Sequence, residues 1–416
     1  MAKDASLSSL DYHFSPKQAL VGSQMFFVAF GALVLVPLLT GLDPNVAMFT
    51  AGVGTLAFQL ITRGRIPIFL ASSFAFIAPI QYGVGQWGLP ATLCGLAASG
   101  LLYVLISLLV RWRGASIIQL ILPVVVTGPV IMVIGFSLIP VGVNMATGAG
   151  TEIPRSDALT VAAISLAATI IATIWGKGVI RLIPIFCGIV AGYTAAYFYG
   201  MVNFDPVLAA PWFALPGFTA PQWSLEAIFF IVPVAIAPVI EHVGNVAAIG
   251  SITGRDYLRD PGLQRTLLGD GVATTLASVL GGPPNTTYAE VTGGVALTRA
   301  FNPAVMTWAA ITAILLGFVG KLGALLMSIP VPVMGGIMVL LFGSIGVVGV
   351  NSLARSKVDL MEPKNLVLMA VILSFGIGGL ELSFGGFTLS GIGLAGFGGL
   401  VLHLVLSGVS WVLGKK

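Results

Sequence analysis

Apolar residues fall along this chain in long runs separated by short polar stretches. A run of about 20 apolar residues is enough to cross a bilayer as a helix. The pattern predicts fourteen such segments, at roughly 18–40, 45–62, 66–83, 90–110, 117–142, 158–175, 179–202, 223–244, 264–281, 284–298, 303–325, 329–350, 364–380 and 386–412. The third, ninth and tenth are weak by hydropathy alone. The first 16 residues are polar, and the run after them is long enough to remain in the membrane, so a cytoplasmic tail over 1–16 is expected and a cleaved leader is not.

Composition agrees with the pattern. Of 416 residues, 57% are hydrophobic and 8% charged, against about 25% charged in soluble domains. Nineteen basic and 15 acidic side chains cannot cover a soluble protein of this length. That excludes a soluble enzyme, a nucleic-acid binder and a disordered chain. The 53 glycines, nearly twice the usual frequency of roughly 7%, let helix backbones approach closely in lipid and permit broken helices. Cys94 and Cys187 sit inside apolar runs and read as packing residues, too few for a metal site.

Charge placement gives a topology. With the N-terminus in the cytoplasm, 17 of the 19 basic residues fall on that side, and only Arg155 and Lys321 fall outside. The positive-inside rule predicts such a bias, and both termini are then cytoplasmic. Trp212 and Trp223 suit an interfacial belt on the outer face.

Two segments resemble one another. Residues 122–143 read LPVVVTGPVIMVIGFSLIPVGV and residues 329–350 read IPVPVMGGIMVLLFGSIGVVGV. Pro123 matches Pro330, Gly128 matches Gly335, and a closing Val-Gly-Val recurs at 141–143 and 348–350, an offset of 207 residues. These are segments five and twelve, so each half would hold seven spans. An odd number inverts the second half in the membrane, as in secondary transporters, whose substrates bind near the midplane at broken helices. The matched interrupted pair is segments three and ten, IPIFLASSFAFIAPI (66–80) and GGPPNTTYAEVTGGVALT (281–298). Each starts with extended or Pro-containing sequence and continues as helix. Two short strands meeting at the midplane would offer backbone N–H groups to a ligand, covered by protein. The expected fold is therefore an all-α polytopic membrane protein, fourteen transmembrane segments in a 7+7 inverted repeat, with two short midplane strands.

Carboxylates inside spans cost roughly 2.5–3.5 kcal/mol each even on the lenient insertion scale. Glu241 lies about two to three turns inside an apolar run whose first basic residue is Arg255, and reads as functional. Glu290 follows the polar Asn285-Thr286-Thr287 cluster. Asp270 reads equally well as a helix-start carboxylate bonding backbone or Thr, and Glu381 as interfacial. His242, next to Glu241, points about 100° away on a helix. Three scattered histidines form no metal pair, no nucleophile arrangement is apparent, and no Walker motif is present. An enzyme or ATP-driven pump is not expected. A carboxyl group in a low-dielectric site makes a proton the natural coupling ion, with no other cofactor.

The residues RGRIPIFLASSFAF (63–76), IEHVGN (240–245), LRDPGL (258–263), GGPPNTTYAE (281–290), Thr298-Arg299 and IPVPVMGG (329–336) resemble the nucleobase–ascorbate transporter family, within it the bacterial uracil permease branch. The resemblance runs from 21 to the last span. It implies a multi-pass inner-membrane symporter that carries a nucleobase, uracil first, with protons. It further implies a core domain over 17–113 and 222–327, a gate domain over 114–221 and 328–416, and a homodimer through the gate domain. By position, Glu241 and Glu290 match the two carboxylates that hold the base. Phe74 and Ala289 match positions whose backbone N–H groups reach its carbonyls, and Gln24 and Phe342 match pocket positions. Glu241, Glu290 and residue 245 match the proton-coupling set. The chain departs from the pattern in Met25 after Gln24, in Asn245 where the branch has His, and in Val291 where Asn is usual. A purine such as xanthine is the second substrate to consider, and an anion exchanger or channel of similar architecture the third reading.

Overall fold

The computed structural model of the protein describes residues 9–115, 117, 123–356, 358–384 and 387–412. The first half of the polar tail, the start of segment five at 118–122, position 386, and Lys3, Lys357, Lys415 and Lys416 lie outside the described residues. The chain is mostly helical, as its apolar runs require.

Helix α1 (Ala19–Thr40) closes on Gly41, whose φ of 73° is the left-handed cap conformation that glycine adopts without strain. Asp43 then caps α2 (Pro44–Ile61), accepting a hydrogen bond from the Asn45 N–H at 2.7 Å. Strand β1 (Leu70–Ser72) leads through a 3-10 turn at Phe74–Phe76 into α3 (Ile77–Trp87). Next come α4 (Leu89–Arg113), α5 (Val124–Ala146), α6 (Arg155–Trp175), α7 (Pro184–Phe198) and the short α8 (Asp205–Ala209). Segment eight is longer than its sequence pattern predicts. It runs as α9 (Leu225–Ile231), a 3-10 turn at Pro233, and α10 (Ile236–Thr253), so Glu241 stands mid-run.

Helix α11 (Leu263–Val279) precedes β2 (Asn285–Thr287) and α12 (Ala289–Thr298). Segment eleven is not one helix. It breaks after α13 (Ala304–Gly317) into α14 (Gly320–Met327), at a point where Val319 bridges Phe213. Helices α15 (Val331–Arg355) and α16 (Pro363–Ile377) follow, then an antiparallel pair β3 (Glu381–Phe384) and β4 (Phe387–Ser390), and α17 (Gly391–Val412). That second strand pair corrects the all-α expectation. Segment fourteen opens as a strand because Phe387-Thr388-Leu389-Ser390 alternates apolar and polar, a period of two.

Eight described runs are long and apolar enough to cross a membrane, and α7, α13 and α16 are shorter apolar helices. Helices α1, α2, α4, α11 and α13 pack together around the strands, whereas α5, α6, α7, α15, α16 and α17 pack with one another. Glycine sets the closest approaches. A Cβ on Gly100 or on Gly271 would lie 2.7 Å from the other residue's carbonyl oxygen, so α4 and α11 touch backbone to backbone.

The repeated segments are partners. Pro123 and Pro330 occupy the same N-cap position of α5 and α15. The two helices run antiparallel, Gly128 facing Leu353 and Gly335 facing Ala146, with Gly142 against Met338 and Gly349 against Met132. The matched glycines Gly128 and Gly335, and Gly142 and Gly349, thus all face the other helix of the pair.

Small residues at that seam are a testable requirement. A Cβ on Gly349 would sit 2.6 Å from the Gly128 carbonyl, whereas one on Gly343 of the same helix meets nothing within 4 Å. Gly349→Val will lower stability by about 1–3 kcal/mol through overpacking. Gly343→Val, with the same helix propensity change, serves as the control in thermal unfolding.

Candidate functional site

The site begins with two strands of three residues. They pair antiparallel, Leu70 with Thr287, Ala71 with Thr286 and Ser72 with Asn285. A pair this short leaves most of its backbone groups without a strand partner, and helix side chains supply the rest. Thr55 of α2 accepts from the Leu70 N–H at 2.9 Å, and Thr274 of α11 donates to the Asn285 carbonyl at 2.6 Å. The Asn285 amide donates to the Thr50 carbonyl at 2.8 Å, and the Tyr288 hydroxyl to the Ser72 carbonyl at 3.1 Å. The Ser73 N–H closes the pair on the Pro284 carbonyl at 2.9 Å.

Beyond the strands lies a cavity of about 350 Å³, toward the lower end of the roughly 300–1,000 Å³ of small-molecule pockets. One wall is polar: Ser73 and Phe74 after β1, Thr286, Tyr288 and Glu290 at and after β2, and Glu241 and Asn245 on α10. The facing wall is apolar, built from Ile131 and Ile134 of α5, Ile185 of α7 and Ile337, Leu341 and Ile345 of α15. Thr169 and Thr173 of α6 and Ser344 of α15 interrupt it. Their hydroxyls bond back to their own helices, so that wall offers a ligand mainly hydrocarbon.

Glu241 and Glu290 keep solvent access through this cavity. Glu290 stands in the first turn of α12, the end of a helix where N–H groups and the macrodipole favour a carboxylate. Phe74 and Tyr288 set their rings 5.8 Å apart, tilted at 56°, a surface against which a planar ring can lie.

Of the residues singled out from sequence, the structure brings Glu241, Glu290, Phe74 and Asn245 to this cavity. Ala289 opens α12 immediately before Glu290. Gln24 is half-buried on α1, and Phe342 is fully buried in the α5–α15 seam; neither lines the cavity. Asn245 is committed to the strand, donating to the Thr287 carbonyl at 2.8 Å. Glu381 is exposed at the start of β3.

Asp270 departs from the sequence reading. It lies inside α11 rather than at its start, fully buried, accepting from Thr286 at 3.1 Å with the Nδ1 of His242 at 3.3 Å. Nothing in local spacing announces that pair, because it forms only where α10 and α11, 28 residues apart at these positions, pack against each other beside the strand. The signal for Thr169 and Thr173 was available: two hydroxyls four apart in an apolar helix share a face. The polar tail is also more than a tail. Ser15 accepts from the Trp308 indole at 2.9 Å, Phe14 stacks on that ring at 4.9 Å, and Asp11 pairs with Arg255 at 2.9 Å.

Many apolar spans around a carboxylate-bearing cavity, with helices broken by short strands, define a membrane permease. The permease family model matches residues 16–383. The chain belongs to that family, the nucleobase–ascorbate transporters. It is 56% identical over 390 residues to the probable uracil permease of Haemophilus influenzae, covering 94% of each chain. It is 45% identical to the uracil permease of Bacillus subtilis (92% of this chain, 91% of the other) and 38% to that of Escherichia coli K12 (93% and 90%). Among solved structures it resembles the murine Slc26a9 anion transporter, with a TM-score of 0.71 at 11% identity over 95% of this chain and 68% of that one. It also resembles the transmembrane domain of the cyanobacterial bicarbonate transporter BicA, with a TM-score of 0.62 at 12% identity over 94% and 97%. These last two speak to fold alone. The protein is a multi-pass membrane transporter, not an enzyme.

The strand junction gives a direct test. Tyr288→Phe keeps the ring and removes only the bond to the buried Ser72 carbonyl. Leaving that acceptor unpaired will cost about 1–3 kcal/mol, read as a lower unfolding temperature of the purified protein.

Proposed function

We propose that this protein imports a nucleobase, uracil first, across the bacterial inner membrane in symport with protons. The carrying observation is that Glu241 and Glu290, from two separate helices, share the polar wall of one cavity in a chain whose relatives are uracil permeases. A uracil-like ring presents N–H donors and C=O acceptors along one edge. Glu241 and Glu290 accept from the N–H groups. Backbone N–H groups at the starts of the helices after β1 and β2, at Phe74 and Ala289, donate to the carbonyls. The ring's face lies against Phe74, and the apolar wall excludes water. A hydrogen-bonding pocket of this kind rejects analogues that lack the paired groups, by as much as about 10⁴–10⁵.

In this reading all fourteen segments are spans, arranged as a 7+7 inverted repeat with both termini cytoplasmic. Support comes from the matched prolines and glycines of α5 and α15, from their antiparallel packing, and from the charge bias of the loops. The residues 17–113 and 222–327 supply the polar wall and form the core domain. The residues 114–221 and 328–416 supply the apolar wall and form the gate domain, through which two copies pair. Protons are the coupling ion because the wall carries carboxylates and the sequence carries no nucleotide-hydrolysis motif.

The likeness to anion transporters favours a second reading, an anion exchanger. Two carboxylates facing the cavity oppose it, since like charges repel. Uptake of labelled uracil into proteoliposomes, competed with a panel of nucleobases and with bicarbonate, decides between them. Inhibition by uracil alone supports the proposal, inhibition by xanthine moves the substrate to the purines, and transport only of anions overturns it.

Glu241→Ala and Glu290→Ala will each abolish uracil binding in calorimetry while the purified variants stay folded, since each removes a charge-assisted bond worth about 1.5–3 kcal/mol. Normal uptake by either variant ends the two-carboxylate model. Uptake will rise when the outside is acid relative to the lumen and collapse with a protonophore. Dependence on a Na⁺ gradient at constant pH, with none on pH, refutes proton coupling.

A further inference from the structure

We infer that His242 and Asp270, sealed behind the cavity, are the positioning residues that hold β2, and with it Tyr288 and Glu290, against α10. The inference rests on the proposed reading that the cavity takes a nucleobase.

The geometry is specific. His242 and Asp270 are both fully buried, with Nδ1 and Oδ2 3.3 Å apart. Neither lines the cavity. Two consecutive strand side chains end on this pair. The Thr286 hydroxyl donates to Asp270 Oδ2 at 3.1 Å, and the Thr287 hydroxyl lies 3.2 Å from His242 Nδ1. Asn245, three residues after His242 and so on the same side of α10, donates to the Thr287 carbonyl at 2.8 Å.

The pair is loaded on one side only. His242 Nε2 and Asp270 Oδ1 have no hydrogen-bond partner among the described residues. The remaining neighbours are Phe58 of α2, whose ring meets the imidazole edge-on at 6.3 Å, and the buried Tyr103 of α4. All the polar contacts of both side chains therefore converge on each other and on β2. Burying such groups with half their capacity unused is costly. The polar contacts the pair makes beyond itself go to the strand.

The arrangement also separates two jobs along one helix. Glu241 turns into the cavity while His242, the next residue, turns to the strand. The helix that presents one carboxylate to the ligand thereby fixes the strand that leads to the other.

The test compares His242→Gln, Asp270→Asn and the double variant by two measurements on the full-length protein. Hydrogen–deuterium exchange at residues 285–290 reads strand placement without any substrate. It will be faster in each single variant, and less so in the double variant than the two single effects combined, because the two side chains share one contact and their effects are not independent. Labelled uracil uptake reads the consequence: KM rises about tenfold or more in each single variant, while the maximal rate per folded protein stays within about twofold. Unchanged exchange over 285–290 in both single variants overturns the inference, as does a fallen maximal rate with unchanged KM. If the wild-type protein takes no uracil, the transport reading fails and the exchange measurement still decides the inference. Should a single variant not fold, Thr287→Val removes the hydroxyl that faces His242 and leaves the pair intact. Faster exchange in that variant supports the inference, and exchange equal to wild type overturns it.

Discussion

Two three-residue strands crossing inside a helical membrane protein depend on one constraint: every backbone N–H and C=O at that depth needs a partner where no water reaches. Here the partners are side chains. Thr55 takes the Leu70 N–H, Thr274 gives to the Asn285 carbonyl, Asn245 gives to the Thr287 carbonyl, and Tyr288 closes on Ser72. Threonine suits the task because its hydroxyl both donates and accepts on a stem short enough to sit between helix and strand. The rest of the site follows from this scaffold. Once the strands are held, the helices that continue from them start at the cavity, and their first turns face it.

The same constraint explains the glycines. Helices can reach the strand carbonyls with side chains as short as threonine only if they pack without bulky residues between. A Cβ on Gly54 would lie 2.9 Å from the Asn285 amide nitrogen, and one on Gly282 2.5 Å from the Thr50 hydroxyl. Close packing and hydrogen bonding are therefore one requirement in two residue types.

Much of this was legible in the sequence. Runs of apolar residues located the helices, and the interrupted stretches IPIFLASS and GGPPNTT located both strands, because Pro and β-favouring residues stand where a helix should be. Glu241 and Glu290 were conspicuous since carboxylates in apolar runs are rare. What stayed hidden was anything that depends on two distant elements meeting. Asp270 reads as an ordinary helix carboxylate until α11 is seen to meet α10 beside β2, and His242 reads as turned away from the site, which it is, without showing what it turns toward. The break at Val319 was invisible because LLGFVGKLG is apolar up to Lys321 and carries no proline, and only the bridge to Phe213 divides it. The β3–β4 pair was lost to the opposite bias: a hydropathy run masks a two-residue alternation inside it.

The paired glycines of α5 and α15 have one more mechanical consequence. Along that seam side chains of one helix rest on the glycine backbone of the other, so the two helices pack closely as one plate. Most of the apolar face of the cavity is mounted on it. Among the described residues no hydrogen bond joins this plate to the strands or to α10 across the cavity. The apolar face of the cavity therefore meets the polar face without a hydrogen bond across it. The polar ties between these two parts of the chain lie away from the cavity, where Lys321 donates to the Val207 and Leu208 carbonyls and Gly217 donates to Asp43, so the cavity is a stretch of their contact that no hydrogen bond among the described residues holds shut.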